Sequence, residues 1–458
     1  MDTRQVMIVG GGAAGLAASI AAARELVPVI LFEKGPKTGR KMMISGAGRC
    51  NLTNSAPFQT FIEQYFGQGR FLYPAFTTFF RDDLLALLAQ TGLQTKEERS
   101  GKIFPESDRA LDVVESLTYL ARQAGVVIHL SEPVTHITLH GSTGHADSCA
   151  APSFPAVPDR QPAYHVTTSQ GDYQTSRVLI ATGGCSWPQT GSCGDGYRLA
   201  RSLGHSLTAT RPALTGLRIR DTSFLPLQGI SHDSAGLKLF CDSKKTGQSE
   251  GELIWTHFGL SGPAVLRLSR DLPPPCSNLP DHPDLYAFEA GQPDNEIAAS
   301  CYIEIDFLPA ISEDTLRQKI QESLAQQPRK NLKNVLAECL PLPEPLLRQL
   351  MARCEIKIGH KAAETRRAQV NALLTALKGL RLEITGSRGY QDAMVTAGGV
   401  QLSEVNPRTM ESRLLPGLFF AGEVLDIDGD TGGYNLQAAF STGWLAGQQA
   451  ARSLKRKN

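Results

Sequence analysis

Three glycines, Gly10, Gly12 and Gly15, follow a short apolar run, Gln5 to Val9, and open an alanine-rich stretch that reaches about Leu26. Between a strand and a helix, a G-x-G-x-x-G turn, here including Ala14, lets backbone N–H groups approach a pyrophosphate at the positive end of the helix dipole. A second apolar run, Pro28 to Phe32, ends at Glu33, eighteen residues after Gly15, and Lys34 follows. A carboxylate at that point accepts hydrogen bonds from an adenosine ribose and disfavours a 2′-phosphate. The chemistry is dinucleotide binding on a βαβ unit.

The other end of the chain decides which dinucleotide. Leu415 to Ala421 reads as a buried strand followed by Gly422-Glu423, which places a carboxylate for a ribityl hydroxyl. Gly432-Gly433-Tyr434-Asn435-Leu436 then starts a last helix running to about Leu454, whose first N–H groups suit a flavin pyrimidine carbonyl and stabilise negative charge on the reduced ring. Between these ends, Val178 to Ala181 runs into Thr182-Gly183-Gly184, a third strand with glycines at its end. A chain using only NAD has no need to bring its last strand and helix back to the first βαβ unit, so the expected cofactor is FAD. Gly191-x-x-Gly194-x-Gly196 has the wrong order for a second fingerprint. NAD(P)H, if it is the electron donor, is therefore expected to bind transiently.

The polar, glycine-rich stretch from Gly35 to Asn54 reads as a long binding loop, in which Arg40, Lys41 and Arg49 are cations suited to a diphosphate. Three groups are candidate proton donors: the Cys50 thiol in that loop, the His257 imidazole, and the Tyr434 hydroxyl at the start of the last helix.

These residues need a scaffold, and 458 residues supply more than one hydrophobic core. Hydrophobic residues make up 41% and charged residues 20%, the balance of a folded globular chain. Lys plus Arg number 46 against 45 Asp plus Glu, so no overall field draws the chain to nucleic acid or an anionic membrane, and any polyanion site must be a local patch. Nine cysteines form no C-x-x-C and pair with no suitably spaced histidines, which leaves no zinc site. Their odd, scattered set, with no basic n-region before Val6 to Ala23, fits reduced thiols in a cytoplasmic protein. No other stretch reaches eighteen apolar residues, so no membrane span is expected.

The expected fold class is α/β. A Rossmann-like FAD-binding domain comes from both chain ends, 1–205 and 395–458. An inserted β-rich, barrel-like domain covers 206–328 and 379–394, and a basic helical subdomain covers 329–378. The insertion at 141–162, rich in Ser, Ala and Pro, reads as a mobile loop tip, and the Pro-rich stretch 272–284 as turns. Residues 329–381 hold eleven Lys or Arg against four Glu, a surplus of seven. Asn331, Lys333, Lys357, His360, Lys361, Arg366 and Arg367 there are candidates for contact with an RNA phosphate backbone.

Several segments carry a resemblance: Gly39-Arg40-Lys41 with Ser45 to Asn54, Thr256 to Pro263, Val395-Thr396-Ala397-Gly398-Gly399-Val400, and Ala421 to Asp426. Through them essentially the whole chain resembles the FAD flavoproteins with two dinucleotide-binding folds and, within these, the YhiN/BaiN-like or aminoacetone-oxidase-family group. The resemblance implies that Glu33, Arg40, Lys41, the loop holding Ser45, Gly48, Arg49 and Asn51, Val134 through its backbone, Gly183, Glu423, Asn435 and Leu436 hold FAD. It also implies that the inserted domains roof the isoalloxazine.

Activities attributed to that group differ: reduction of conjugated C=C bonds in dehydro bile acids, oxidation of aminoacetone, and conversion of a uridine in large-subunit ribosomal RNA to dihydrouridine. Two of the three share hydride transfer from flavin N5 to an enone-like carbon, with protonation of its neighbour. That class, with rRNA uridine as substrate, is the expectation. A small-amine oxidase, an enone or steroid reductase, a folate- and FAD-dependent RNA methyltransferase and a non-catalytic RNA-binding factor are its alternatives.

Overall fold

The computed structural model describes residues 4–139, 163–273 and 296–455. The insertion 141–162 and all but the first two residues of the stretch 272–284 lie outside the described residues. The described chain divides into two compact units. One is drawn from Met1–Thr210 and Val395–Asn458, the other from Arg211–Asn278 and Ala290–Met394.

In the first unit the strand Val6–Val9 is buried at all four positions. An uninterrupted apolar run is what a strand covered on both faces requires. It lies at the centre of a five-stranded parallel sheet whose order is Leu418–Phe420, Arg177–Ile180, Val6–Val9, Val29–Glu33, Val127–Leu130. The chain builds outward on one side through Val127–Leu130, then crosses to the other side for Arg177–Ile180 and Leu418–Phe420. The order therefore reverses between Val6–Val9 and Arg177–Ile180, and Gly10–Gly12 and Thr182–Gly184 leave the carboxyl ends of those two strands. Such a switch point is where an open α/β sheet leaves a crevice for a ligand.

The helix Ala13–Arg24 is buried along almost its whole length, and its alanines are the reason. The C-terminal helix Tyr434–Lys455 packs on it so closely that a Cβ on Gly443 would overlap the Ala14 carbonyl oxygen, and one on Gly447 the Ala18 carbonyl oxygen. Arg177, buried at the start of its strand, secures the far end of the same helix. Its guanidinium donates to the Ser453 hydroxyl at 2.6 Å and the Ser453 carbonyl at 3.2 Å, the charge a helix C-terminus favours.

The second unit is a closed six-stranded antiparallel barrel in the order Leu217–Ile219, Gly259–Ser261, Lys244–Thr256, Ser231–Cys241, Glu296–Asp306, Leu380–Ser387. The helices Leu332–Cys339, Glu344–Arg353 and Arg367–Gly379 bury Leu336, Leu350 and Leu373 in one core with the barrel residues Leu239, Trp255 and Ile303. The expectation of uniformly reduced thiols needs correcting here. Cys241 and Cys301 stand opposite each other on neighbouring barrel strands, Cα atoms 4.2 Å apart, and form a disulfide. Sixty residues separate them in the chain, so the pairing exists only through the register of the barrel. Among the described residues Cys50, Cys185, Cys193, Cys339 and Cys354 are free thiols, and no helix is long and apolar enough to cross a membrane.

Because Gly447 meets backbone rather than a yielding side chain, Gly447→Val is expected to destabilise the protein by roughly 3 kcal/mol, read by urea unfolding followed by circular dichroism.

Candidate functional site

The three fingerprint glycines divide the work. Gly10 takes a φ of +107°, and a Cβ there would collide with the Ala181 carbonyl of the neighbouring strand crossing. Gly15 lies against the Gly10 carbonyl, so a side chain there would push the helix off the turn. At Gly12 the outcome is opposite: nothing lies within 4 Å of where a Cβ would stand. That opening faces the first turn of Ala13–Arg24, which has no side-chain cap, and so fits a diphosphate approaching the helix N-terminus.

Glu33 holds this turn in place. One carboxylate oxygen accepts the Gly11 N–H at 2.8 Å and the other the Gly35 N–H at 2.7 Å, and each keeps lone-pair capacity for a ribose hydroxyl. Gly183, at φ +78°, follows the adjacent strand, and the buried Thr182 hydroxyl makes no hydrogen bond. Gly422 sits over the first helical turn, where a Cβ would come 2.8 Å from that of Ala14. The two chain ends therefore meet at the crevice. Val134 is buried and pairs with Thr168 in a separate three-stranded sheet.

The cations read as diphosphate ligands are mostly engaged with carboxylates distant in sequence. Lys34 pairs with Asp195, the first residue of the helix Asp195–Ser202. Burial would lower the Lys34 ammonium, but the Asp195 carboxylate outweighs it and holds the pKa above its ordinary value. Arg49 contacts Glu98 at 2.8 Å and Asp108 at 3.4 Å, and its guanidinium lies over the Phe104 ring. Arg40 donates to the Gln189 carbonyl at 2.8 Å.

Lys41 forms the most connected of these contacts. Its ammonium donates to Glu423 at 2.5 Å and to the Ser186 hydroxyl at 2.6 Å. The second Glu423 oxygen accepts from Ser186 at 2.7 Å and from the Thr396 N–H at 2.8 Å. The Thr396 hydroxyl in turn accepts the Cys185 and Ser186 N–H groups. Burial would raise the Glu423 carboxyl, yet the Lys41 charge and these donors hold it below the usual value. Ser186 was invisible to sequence reading because nothing in its own segment marks it as a partner of Glu423.

The loop through Cys50 docks on the start of the C-terminal helix. Ser45 donates to the Met42 carbonyl, its own carbonyl accepts the Cys50 N–H at 2.9 Å, and Gly48 turns at φ +84°. The Asn51 amide, oriented to satisfy its neighbours, accepts the Gly433 N–H at 3.0 Å and donates to the Thr53 and Ile103 carbonyls. Asn54 donates to the Gly432 carbonyl at 3.0 Å. The Asn435 side chain is spent on the preceding turn, accepting from Gly429 N–H and donating to the Gly429 and Asp430 carbonyls, so only its backbone is offered to a ligand. Asn435 and Leu436 lie in the first turn of a 22-residue helix, where N–H groups have no intrahelical acceptor and the dipole favours negative charge.

The three proton-donor candidates are divided between the two units. Cys50 is fully buried, and burial pushes its thiol up to about 12 against a smaller lowering influence of the Ser45 side chain, so it is a weak, buried acid. The Tyr434 ring packs edge-on to Phe61 at 4.7 Å, and its carbonyl accepts the Tyr65 hydroxyl at 2.8 Å. His257 belongs to the second unit, where it is exposed at the turn between Lys244–Thr256 and Gly259–Ser261. That turn is closed by the Gly259 N–H donating to the Thr256 hydroxyl, not by the imidazole.

A parallel sheet with a glycine-lined switch point, an acidic residue ending its second strand, and a last strand and helix returned to the first define an FAD-binding oxidoreductase. Residues 4–449 match the family described as HI0933-like protein Rossmann domain, and the chain belongs to that family. It is 32% identical to a 3-dehydro-bile acid Δ(4,6)-reductase of Clostridium scindens, over 98% of this chain and 99% of the relative. It is 29% identical to the ribosomal RNA dihydrouridine synthase of Escherichia coli, over 99% and 100%, and 28% identical to that of Haemophilus influenzae, over 97% and 98%.

Gly12→Ala fills the opening without meeting protein atoms. It is expected to leave the melting temperature of the flavin-free protein unchanged while markedly reducing bound flavin, measured by absorbance of the purified protein. Glu423→Gln leaves Lys41 uncompensated and is expected to cost roughly 2–3 kcal/mol at pH 7. The folded carboxyl titrates below its unfolded value of about 4.5, so its contribution is complete above that pH and disappears as pH falls through the folded value. Urea unfolding of wild type and variant should therefore differ at pH 7 and converge under strongly acidic conditions.

Proposed function

We propose that the protein reduces a conjugated C=C bond and that its substrate is a uridine in large-subunit ribosomal RNA, giving dihydrouridine. The observation that carries this reading is the end-to-end match to relatives whose names describe saturation of such bonds, with two dihydrouridine synthases covered over essentially their full length. The bound FAD supplies hydride chemistry at N5. The chain's own part is to hold it: Glu33 and the Gly10 to Gly15 turn at the adenosine and diphosphate, Gly183 and the Lys41–Glu423 pair farther along, and the Asn435 and Leu436 N–H groups at the helix start, where they favour negative charge on the ring. Two electrons and a proton enter from a nicotinamide donor that binds transiently, a second proton comes from an acid group, and the uridine C5=C6 bond becomes a single bond.

A steroid-like enone is the second reading, favoured by the slightly higher identity to the bile acid reductase. The two separate in one experiment. Deleting the gene is expected to remove a dihydrouridine from large-subunit rRNA, seen as a 2 Da decrease of one nucleotide by mass spectrometry of RNA digests. Unchanged rRNA, with turnover of a dienone steroid by the purified yellow protein, would replace the first reading with the second. Peroxide from small amines or dependence on methylenetetrahydrofolate would replace both. Cys50→Ala is expected to keep turnover within a few fold, since loss of a true general acid costs roughly 10²–10⁴-fold.

A further inference from the structure

The acidic residues of the basic helical segment are not spread evenly among its cations. Lys330 pairs with Glu338, Lys333 and Arg348 both with Glu344, and Arg353 with Asp221. Arg329, Lys357, Lys361, Arg366 and Arg367 are exposed and make no ion pair among the described residues.

The fold brings these five together. Asn331 and Lys361 form a β-bridge, and the Lys361 ammonium donates to the Asn331 side-chain oxygen at 2.8 Å. The Leu332 N–H donates to the His360 carbonyl, the Ala362 N–H to that of Lys330, and the Ala363 N–H to that of Pro328. The segment around Arg329 is thereby laced to the turn 357–363. A short turn, Ala362–Glu364, then delivers Arg366 and Arg367 to the start of Arg367–Gly379, where the helix dipole adds to their charge rather than offsetting it. Two acids of the same stretch are Glu364, which accepts the Lys361 N–H and lies 3.8 Å from His360, and the exposed Glu355. The helix Glu313–Gln326, which packs against this turn, carries Asp314, Glu322 and Glu313, the last already paired with Arg317.

Unpaired cations held close together repel one another, and a partner carrying regularly spaced negative charge relieves that repulsion. We propose that this patch is a docking surface for the phosphate backbone of a structured RNA. The claim deepens the dihydrouridine reading and takes from it only the identity of the polyanion. A membrane fits less well. The large apolar side chains of these helices, Leu336, Leu350 and Leu373 among them, are buried in the core, and the exposed Ile358 by itself makes no apolar face to insert.

The test uses the full-length, flavin-loaded protein without reductant, so that binding is read apart from turnover. The probe is large-subunit rRNA purified from a strain lacking the gene, in filter binding across a salt series. The variant carries Lys357→Gln, Lys361→Gln, Arg366→Gln and Arg367→Gln. Each lost phosphate contact lowers the log–log salt slope by roughly 0.7–0.9, so the slope should become shallower by about 3 and low-salt affinity should fall at least roughly tenfold. Lys244→Gln with Lys245→Gln, exposed cations of the barrel hairpin, should change neither. If the fourfold variant fails to retain flavin, Lys357→Gln and Arg367→Gln singly should each remove about one contact's worth of slope. Equal slopes for variant and wild type would overturn the proposal. So would binding to phosphatidylglycerol vesicles that the variant loses while its rRNA binding is intact. Loss of rRNA binding in the variant, with unchanged dihydrouridine in the deletion strain, would uphold the surface and reject the substrate.

Discussion

Gly443 and Gly447 let the C-terminal helix lie against the carbonyl oxygens of Ala14 and Ala18, and that backbone-to-backbone approach organises the cofactor unit. With the two helices in register, the strand Leu418–Phe420 is returned beside Arg177–Ile180 and Gly422 is set over Ala14. The same approach fixes where Tyr434–Lys455 begins. A side chain at either glycine would separate the helices, and the pieces of the site contributed by residues more than four hundred positions apart would no longer face one crevice. The alanines of the first helix have the same cause, since larger side chains would not fit between the sheet and the second helix.

Three cations around the crevice of that unit are paired with carboxylates. Lys34 with Asp195, Arg49 with Glu98 and Asp108, and Lys41 with Glu423 each join segments remote in sequence, so the loops around the crevice are tied to one another. Glu423 is the extreme case: Lys41, Ser186 and the Thr396 backbone all reach its carboxylate, which a partly buried anion needs if it is to stay ionised. The helix start at Ala13, which has no side-chain cap, and the start at Tyr434 contribute positive partial charge of the kind that suits an anionic group. In the basic segment of the second unit, Lys330, Lys333, Arg348 and Arg353 are paired in the same way, whereas Arg329, Lys357, Lys361, Arg366 and Arg367 make no ion pair among the described residues.

Much of the cofactor unit was legible in advance, because its signals are local. An apolar run, three glycines at fixed spacing and an acidic residue at the end of the next strand are each confined to a few positions, and the parallel sheet with its glycine-lined crossings follows from them. The barrel was legible only as a succession of short strands. Its closure, and the pairing of Cys241 with Cys301, depend on a register that no single segment contains. The cations of the binding loop were recognisable as cations, but their partners were not, because Asp195, Glu98, Asp108 and Glu423 lie far along the chain. Cys50 was chosen for its chemistry, and tertiary packing made it a buried, weakly acidic thiol.

The amino-acid sequence by itself determined that a glycine fingerprint of the dinucleotide-binding kind lies at a strand-to-helix turn, that the chain's end returns to its beginning, and that positive charge collects between residues 329 and 381. These are matters of residue type and short spacing, which survive without coordinates. Tertiary structure alone decided which charges are neutralised and which remain open, which glycine is reserved for a ligand and which for a neighbouring backbone, and which thiols are joined. Those outcomes depend on distances between segments, and only the packed chain sets those distances.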